Sequence, residues 1–204
     1  MKPIIAVWAA AVGLTAGAAL AQAPAAQPKL VAPTGVGGCI YRRIPEAVSR
    51  AAVSAILSHT SSVQVLRGPV AEIAPKCTGQ PFSNADSAVV GSVMSVYARM
   101  VAAFTLGSRL QLPERQLYDA WAAATPEEKA PFVASAQSFL RADAAYAAAK
   151  PEAAAPFVQR LGIDAKAQAP VIPQLVHMYF SAMALNELAE ADLAARGASA
   201  AETK

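Results

Sequence analysis

The stretch SAVVGSVMSVYARMVAAFTLGSRL, residues 87–110, decides the fold class of this chain. Apolar residues recur in it at spacings of four and three and form one stripe: Val90, Met94, Tyr97, Val101 and Phe104. Small residues form a second stripe: Ser87, Gly91, Ser95, Ala98 and Ala102. A helix with two such stripes packs on more than one side, closely along the small one. We therefore expect a central helix over 84–110, capped by Ser83 or Asn84, with Asp86 near its positive N-terminal end.

A transmembrane span from Ala88 to Leu106 is the alternative for this stretch. Arg99 lies inside it, and an arginine at the centre of a span costs about 2.5–3.5 kcal/mol on insertion scales. The buried core helix is the favoured interpretation, and we expect no transmembrane span in the mature chain.

Helix signals continue on both sides of the central stretch. Alanine, the best helix former, recurs throughout, and few runs alternate with period two. Prolines suited to the first helical position, and Gly197 as a stop, give the boundaries of further helices. We expect helices over 45–59, over 113–124, and from 170 or 173 to 196. Between the first two, we expect a short helix or turn at 63–66 that is broken by Gly68-Pro69, and then another helix that leads to Cys77.

Two similar segments, PEEKAPFV at 126–133 and PEAAAPFV at 151–158, are also expected to begin helices. Thr125 and Glu128 can form a capping box before the first of them. Two copies are fewer than the three or more units that a solenoid needs. We interpret the repeat as a shared way of starting a helix, and an old duplication stays open.

The first residues, MKPIIAVWAAAVGLTAGAALAQA, have the architecture of a secretory signal peptide. Cleavage is expected after Ala21, because cleavage after Ala23 would place Pro24 directly behind the scissile bond. An uncleaved anchor and a lipoprotein signal ending at Cys39 are the alternatives. The favoured interpretation gives a signal peptide over 1–21, a flexible Pro/Gly-rich leader over 22–38, and a periplasmic or secreted protein.

The two cysteines, Cys39 and Cys77, are expected to pair as one disulfide in such an exported chain. They are not a C-x-x-C pair, so the expected role is structural. The fold class that follows is all-α: a single disulfide-stapled bundle of about five or six helices over 39–196, followed by a disordered tail over 197–204.

Charge is unevenly placed along the chain. Residues 22–81 hold six basic against two acidic residues, whereas 82–204 hold ten against twelve. Four arginines, Arg42, Arg43, Arg50 and Arg67, therefore give a basic surface that could contact an anionic surface or an acidic partner.

Motifs for catalysis are missing. The sequence has only His59 and His177, no clustered metal ligands, no serine-hydrolase elbow and no glycine-rich phosphate loop. We therefore predict no catalytic residues, no metal and no cofactor.

The stretch WAAATPEEKAPFVASAQSFLRADAAYAA, residues 121–148, resembles the tryptophan-to-tyrosine part of HMG-box DNA-binding domains in the order of Trp121, Lys129, Pro131, Phe132 and Tyr146. Residues 113–150 carry four basic against five acidic residues, whereas a DNA-bending box needs a strong positive field. We carry no function over and expect no nucleic acid as partner.

Three functions stay open. The first is an exported, non-catalytic helical protein that binds an unknown protein or envelope component. The second is a carrier of a small apolar ligand, held between helices by Met94, Tyr97, Phe104 and Tyr179. The third is a hydrolase of unrecognised type, which would need His177 or His59 buried beside a carboxylate in a cleft.

Overall fold

A computed structural model describes residues 28–58, 62–81, 86–141, 148–164 and 171–202, with side chains up to residue 197. Within these residues the chain forms eight α-helices, one 3-10 turn at Pro151–Ala154 and no strand. The helices are α1 (Gly35–Tyr41), α2 (Glu46–Leu57), α3 (Ser62–Thr78), α4 (Ser87–Leu110), α5 (Glu114–Ala122), α6 (Pro126–Leu140), α7 (Ala155–Arg160) and α8 (Val171–Glu202). The all-α prediction is confirmed. The count is slightly above the predicted five or six, and α1, which begins inside the predicted leader, is the helix that the sequence did not predict.

Helix α4 is the centre of the bundle, as predicted. It packs along α8 and also contacts α1, α2, α3, α5 and α6. The small stripe lies against α8 and α6: a Cβ added at Gly91 would come within 3.1 Å of the Leu185 side chain. The observed cap is Asp86, whose carboxylate accepts from the N–H groups of Ala88 and Val89. The predicted caps at 83 and 84 lie outside the described residues.

By length and composition, α4 is the one helix of the described chain that could cross a membrane. However, 72% of its most apolar window is buried inside the protein. Such burial is what the core helix of a globular protein has.

Two clusters of buried side chains form the core. The N-terminal core joins α1, α2, α3 and the first half of α4 around Ile40, Leu66 and Tyr97. The C-terminal core joins the second half of α4 to α5, α6, α7 and α8 around Trp121 and Phe180. Because α4 runs through both clusters, it joins the two parts of the bundle.

The disulfide between Cys39 and Cys77 is formed, as predicted, with 5.9 Å between the two Cα atoms. It ties α1 to the last turn of α3 and closes a separation of 38 residues. A formed disulfide is typical of an oxidising, extracytoplasmic compartment. It also leaves Cys39 no free thiol for a lipid, which argues against the lipoprotein alternative.

The return segment differs from the predicted break at Gly68-Pro69. Helix α3 is continuous from Ser62 to Thr78 although it contains Pro69 and Pro75. Each proline removes one backbone hydrogen bond. Leu66, Val70 and Ala74, which recur at a spacing of four, are buried in one row, and their burial outweighs that loss.

The predicted leader over 22–38 also differs from the structure. Its residues 22–27 lie outside the described part, but Gly35 begins α1, and Gly37 and Gly38 are buried. A Cβ at Gly37 would lie 2.4 Å from the Ser92 carbonyl oxygen of α4. These glycines therefore let α1 approach α4 closely, whereas composition alone suggested flexibility.

At the other end, α8 continues through Gly197 to Glu202, beyond the predicted stop at Arg196. A glycine inside a helix costs only about 1 kcal/mol relative to alanine. The alanines on both sides of Gly197 favour helix, so the chain continues in that conformation.

The two PEEKAPFV-like segments begin differently. The first has the predicted capping box, with Thr125 and Glu128 each accepting from the other's backbone N–H. The second has no side-chain cap and opens with the 3-10 turn before α7. Their equivalent residues Phe132 and Phe157 meet edge to face, with ring centroids 5.7 Å apart. The copies therefore lie side by side in the C-terminal core.

Candidate functional site

Residues 28–34, which we call the strap, lie across the bundle before α1 begins. Lys29 and Ala32 are exposed, whereas Leu30 packs against the C-terminal core. Pro28 lies over Gly107 of α4, where an added Cβ would come within 2.7 Å of the proline ring. The missing side chain at Gly107 therefore forms a notch that receives Pro28.

Under the strap lies a buried ion pair. Arg99 of α4 and Glu114 of α5 are 5% and 1% exposed, and Arg99 Nη1 lies 3.5 Å from Glu114 Oε1. The other five ion pairs recorded between described residues are more exposed. A buried pair of charges requires further hydrogen bonds to offset its desolvation.

Those hydrogen bonds come from two tyrosines and from the strap. Arg99 Nη1 donates to the Tyr118 hydroxyl at 2.8 Å, and the Tyr179 hydroxyl donates to Glu114 Oε1 at 3.3 Å. Val31 supplies both of its backbone groups: its N–H donates to Glu114 Oε2 at 2.5 Å, and its carbonyl accepts from Arg99 Nη2 at 3.1 Å. We call Arg99, Glu114, Tyr118 and Tyr179 the clamp.

Burial dominates the electrostatics of the clamp. It raises the pKa of Glu114 above its ordinary value, although the Val31 N–H, Arg99 and the Tyr179 hydroxyl all act in the opposite direction. Burial and the Glu114 carboxylate also raise the pKa of Tyr179. A Glu114 carboxylate without the Val31 N–H would lose a hydrogen bond that favours its charged form.

The arrangement is suited to holding an extended backbone. A carboxylate beside a guanidinium offers one acceptor and one donor, which match the N–H and C=O of one extended residue. The clamp residues that hold the backbone of Val31 are the Glu114 carboxylate as acceptor and the Arg99 guanidinium as donor.

The structure does not bring the four predicted ligand-binding residues together. Tyr97 is buried in the N-terminal core, where its hydroxyl lies 2.7 Å from that of Ser49, and Met94 packs against the same cluster. Tyr179 is buried in the C-terminal core and belongs to the clamp. Phe104 is partly buried on α4. Tyr97 and Tyr179 therefore face different parts of the bundle.

The four predicted basic residues are exposed, but three of them have partners within the protein. Arg42 Nη1 donates to the Pro33 carbonyl at 2.7 Å, and Arg43 Nη1 to the Cys39 carbonyl at 3.1 Å. Arg50 pairs with Glu46 one turn away at 3.1 Å. Arg67 lies exposed on α3. Three of these arginines thus have local structural contacts.

An open cleft of about 700 Å³ lies between the 3-10 turn, α7 and the start of α8. Apolar side chains dominate its lining, and Glu152 and Asp164 are its acidic members. The other lining residues are Pro151, Ala154, Ala155, Val158, Gln159, Ile163 and Pro173. None of the four predicted ligand-binding residues lines it.

His177 lies in the same region, packed against Phe132 with ring centroids 5.5 Å apart. Burial lowers its pKa, opposed by a hydrogen bond to the Ala149 backbone and by the charge of Glu152. Its Nε2 is buried and has no hydrogen-bond partner among the described residues. His59 lies outside the described residues.

Across the described ranges, no three His, Cys, Asp or Glu side chains are grouped so as to hold a metal ion. The clamp's Arg99, Glu114 and Tyr118 were not among the residues predicted from sequence. A signal was available, because an arginine within an apolar helix must find a buried partner. The identity of that partner depends on how α5 packs on α4.

No protein-family model matches the chain, and neither a curated protein nor a solved structure shows significant similarity to it.

Proposed function

We propose that this is an exported, non-catalytic helical protein that binds a partner protein or envelope component in the periplasm. The signal-peptide pattern of residues 1–21 and the Cys39–Cys77 disulfide support export to an oxidising compartment. The clamp supports binding, because its charged groups hold a peptide backbone.

The observation that carries the proposal is the pairing of Val31 with Arg99 and Glu114. Two charges are kept almost fully buried to hold one residue of an extended segment. Replacement of a buried ion pair by hydrophobic side chains is often neutral or stabilising, so stability alone does not account for this pair.

Native mass spectrometry of the protein purified from the periplasm tests the proposal. We expect a fraction of the protein in complex with a second polypeptide that dissociates on denaturation. The chain itself should be lighter by the residues of the signal peptide and by two hydrogens for the disulfide. A chain that is always bare and retains residues 1–21 would contradict the proposal.

A carrier of a small apolar ligand is the second candidate, and the open cleft favours it. Its volume of about 700 Å³ lies within the range of small-molecule sites, roughly 300–1,000 Å³. In that case the same spectra would show a small molecule released on unfolding. Substitution of Val158 by aspartate should then abolish its retention, because Val158 lines the cleft.

A further inference from the structure

We propose that the clamp and the Gly107 notch form a binding groove for an extended, proline-containing peptide segment of a partner, and that the strap is a resident ligand which the partner displaces. This inference rests on the proposed partner-binding function and names its site.

The groove has several separate contact points along the strap. The Gly107 notch receives the ring of Pro28, and the C-terminal core receives Leu30. The clamp holds the backbone of Val31. Arg42 Nη1 donates to the Pro33 carbonyl at 2.7 Å. The side chains between these contacts, Lys29 and Ala32, are exposed.

These contacts define the chemistry of the partner. In the numbering of the strap, the groove fits a segment with a proline at position 28 and an apolar residue at position 30. It also needs a free backbone N–H at position 31 and a backbone carbonyl at position 33. Proline-containing segments are already extended and lose little entropy on binding. The charged clamp would accept other side chains at the Val31 position, because its bonds go to the backbone.

The strap precedes an anchored helix. It is joined to α1 at Gly35, whose φ of +67° is a conformation that favours glycine, and α1 itself is anchored by the disulfide. Release of residues 28–33 leaves the first hydrogen bond of α1, from the Gly38 N–H to the Thr34 carbonyl, in place and breaks the bond between Arg42 and the Pro33 carbonyl. A tethered ligand competes at an effective concentration in the millimolar range, so a free peptide binds the wild-type protein weakly.

The test measures binding of a fluorescent peptide with the sequence of residues 27–35, QPKLVAPTG, to the full mature chain. Val31→Pro in the protein removes the backbone N–H that donates a hydrogen bond to Glu114, and it leaves the groove intact. Ala32→Pro is the matched control, because it also adds a proline to the strap but at an exposed residue. The Val31→Pro protein should bind the peptide about 10- to 100-fold more tightly than the wild type and the Ala32→Pro control.

Groove substitutions supply the second arm. In the Val31→Pro background, Gly107→Ala should abolish peptide binding, because its Cβ would occupy the position of the proline ring. Gly68→Ala is the control, because Gly68 is a helical glycine with no atom within 4 Å of the added Cβ. This substitution should leave peptide binding unchanged. A peptide with proline in place of Val31 should not bind either protein.

Equal affinity of the Val31→Pro and Ala32→Pro proteins, both folded by circular dichroism, would overturn the inference. If Val31→Pro fails to fold, Leu30→Ala replaces it, since it removes the apolar contact of the strap and leaves the groove unchanged. A partner found by native mass spectrometry that still binds the Glu114→Gln and Gly107→Ala proteins would overturn this site but keep the proposed function. Peptide binding without any native partner would keep this site but overturn the proposed partner-binding function.

Discussion

Glu190 of α8 holds the first turn of α1, with its Oε1 accepting from the N–H of Gly37 at 2.9 Å, across 153 residues of sequence. Its Oε2 accepts from the N–H of Val36 at the same distance. The first N–H groups of a helix have no partner within the helix, and a carboxylate there satisfies them. Glu190 therefore fixes the helix that follows the strap.

Replacement of Glu190 by alanine should lower the free energy of unfolding by about 1.5–3 kcal/mol, because hydrogen bonds to a charged group are lost and the N–H groups of α1 lose their partner. Urea unfolding followed by circular dichroism measures it. The control is Asp192→Ala on the same helix, which removes an exposed pair with Arg196 and should change stability by about 0.5 kcal/mol or less. Equal losses in the two variants would contradict the role of Glu190.

Replacement of Gly37 by alanine should destabilise the protein by about 1–3 kcal/mol, because the new Cβ would lie 2.4 Å from the Ser92 carbonyl oxygen and α1 would have to move away from α4. Gly68→Ala is the matched control, also a helical glycine but with open space around the added Cβ. It should stabilise the protein by up to about 1 kcal/mol through helix propensity. Thermal unfolding of both variants distinguishes these outcomes, and a stabilised Gly37→Ala protein would refute the close contact.

Removal of the disulfide by Cys39→Ser with Cys77→Ser should lower the free energy of unfolding by about 4 kcal/mol, the loop-closure value for a separation of 38 residues. The comparison is made by guanidinium unfolding of the oxidised wild type and the double variant. Reduction of the wild type should produce a similar loss. A loss well below 2 kcal/mol in both cases would mean that α1 and α3 remain constrained in the unfolded chain without the bond.

The clamp should make stability depend on pH. Burial raises the pKa of Glu114 in the folded state, so the folded protein binds this proton more tightly than the unfolded chain does. Its stabilising contribution is fully present below about pH 4.5 and is lost as the pH rises through the raised folded-state pKa. Urea unfolding from pH 4 to 7 should therefore show wild-type stability falling relative to Glu114→Gln as the pH rises.

Glu72→Gln, at an exposed carboxylate of α3 away from the clamp, is the control for this experiment. The stability of the Glu72→Gln protein should depend on pH in the same way as that of the wild type. If the difference between wild type and Glu114→Gln were the same at every pH, the Glu114 carboxyl would titrate alike in the folded and unfolded chains.

Several predictions from the sequence are confirmed where the signal is local or where chemistry leaves one choice. The two stripes of residues 87–110 place α4 at the centre of the bundle. The Thr125–Glu128 capping box forms as its spacing predicts. The Cys39–Cys77 disulfide follows because the chain has no other cysteine. The break at Gly68-Pro69 did not form, because burial of the row containing Leu66 and Val70 outweighs the local preference of proline.

The candidate site was not predictable in the same way. Arg99 in an apolar helix signals a buried charge, but its partner Glu114 comes from another helix, and Val31 comes from 68 residues earlier in the chain. The residues before α1 look like a linker by composition. Gly37 instead allows a close contact with Ser92, and Gly107 allows one with Pro28. No local sequence pattern encodes either contact.

The sequence by itself determined the all-α class, the central helix and the disulfide, because helix periodicity, capping and cysteine pairing depend on residues that are neighbours in the chain or are unique in it. Only the tertiary structure decided that Arg99, Glu114, Tyr118 and Tyr179 meet around Val31. The physical reason is that hydrogen bonds and ion pairs act over a few ångströms in space, and their partners are chosen by how α4, α5 and α8 pack.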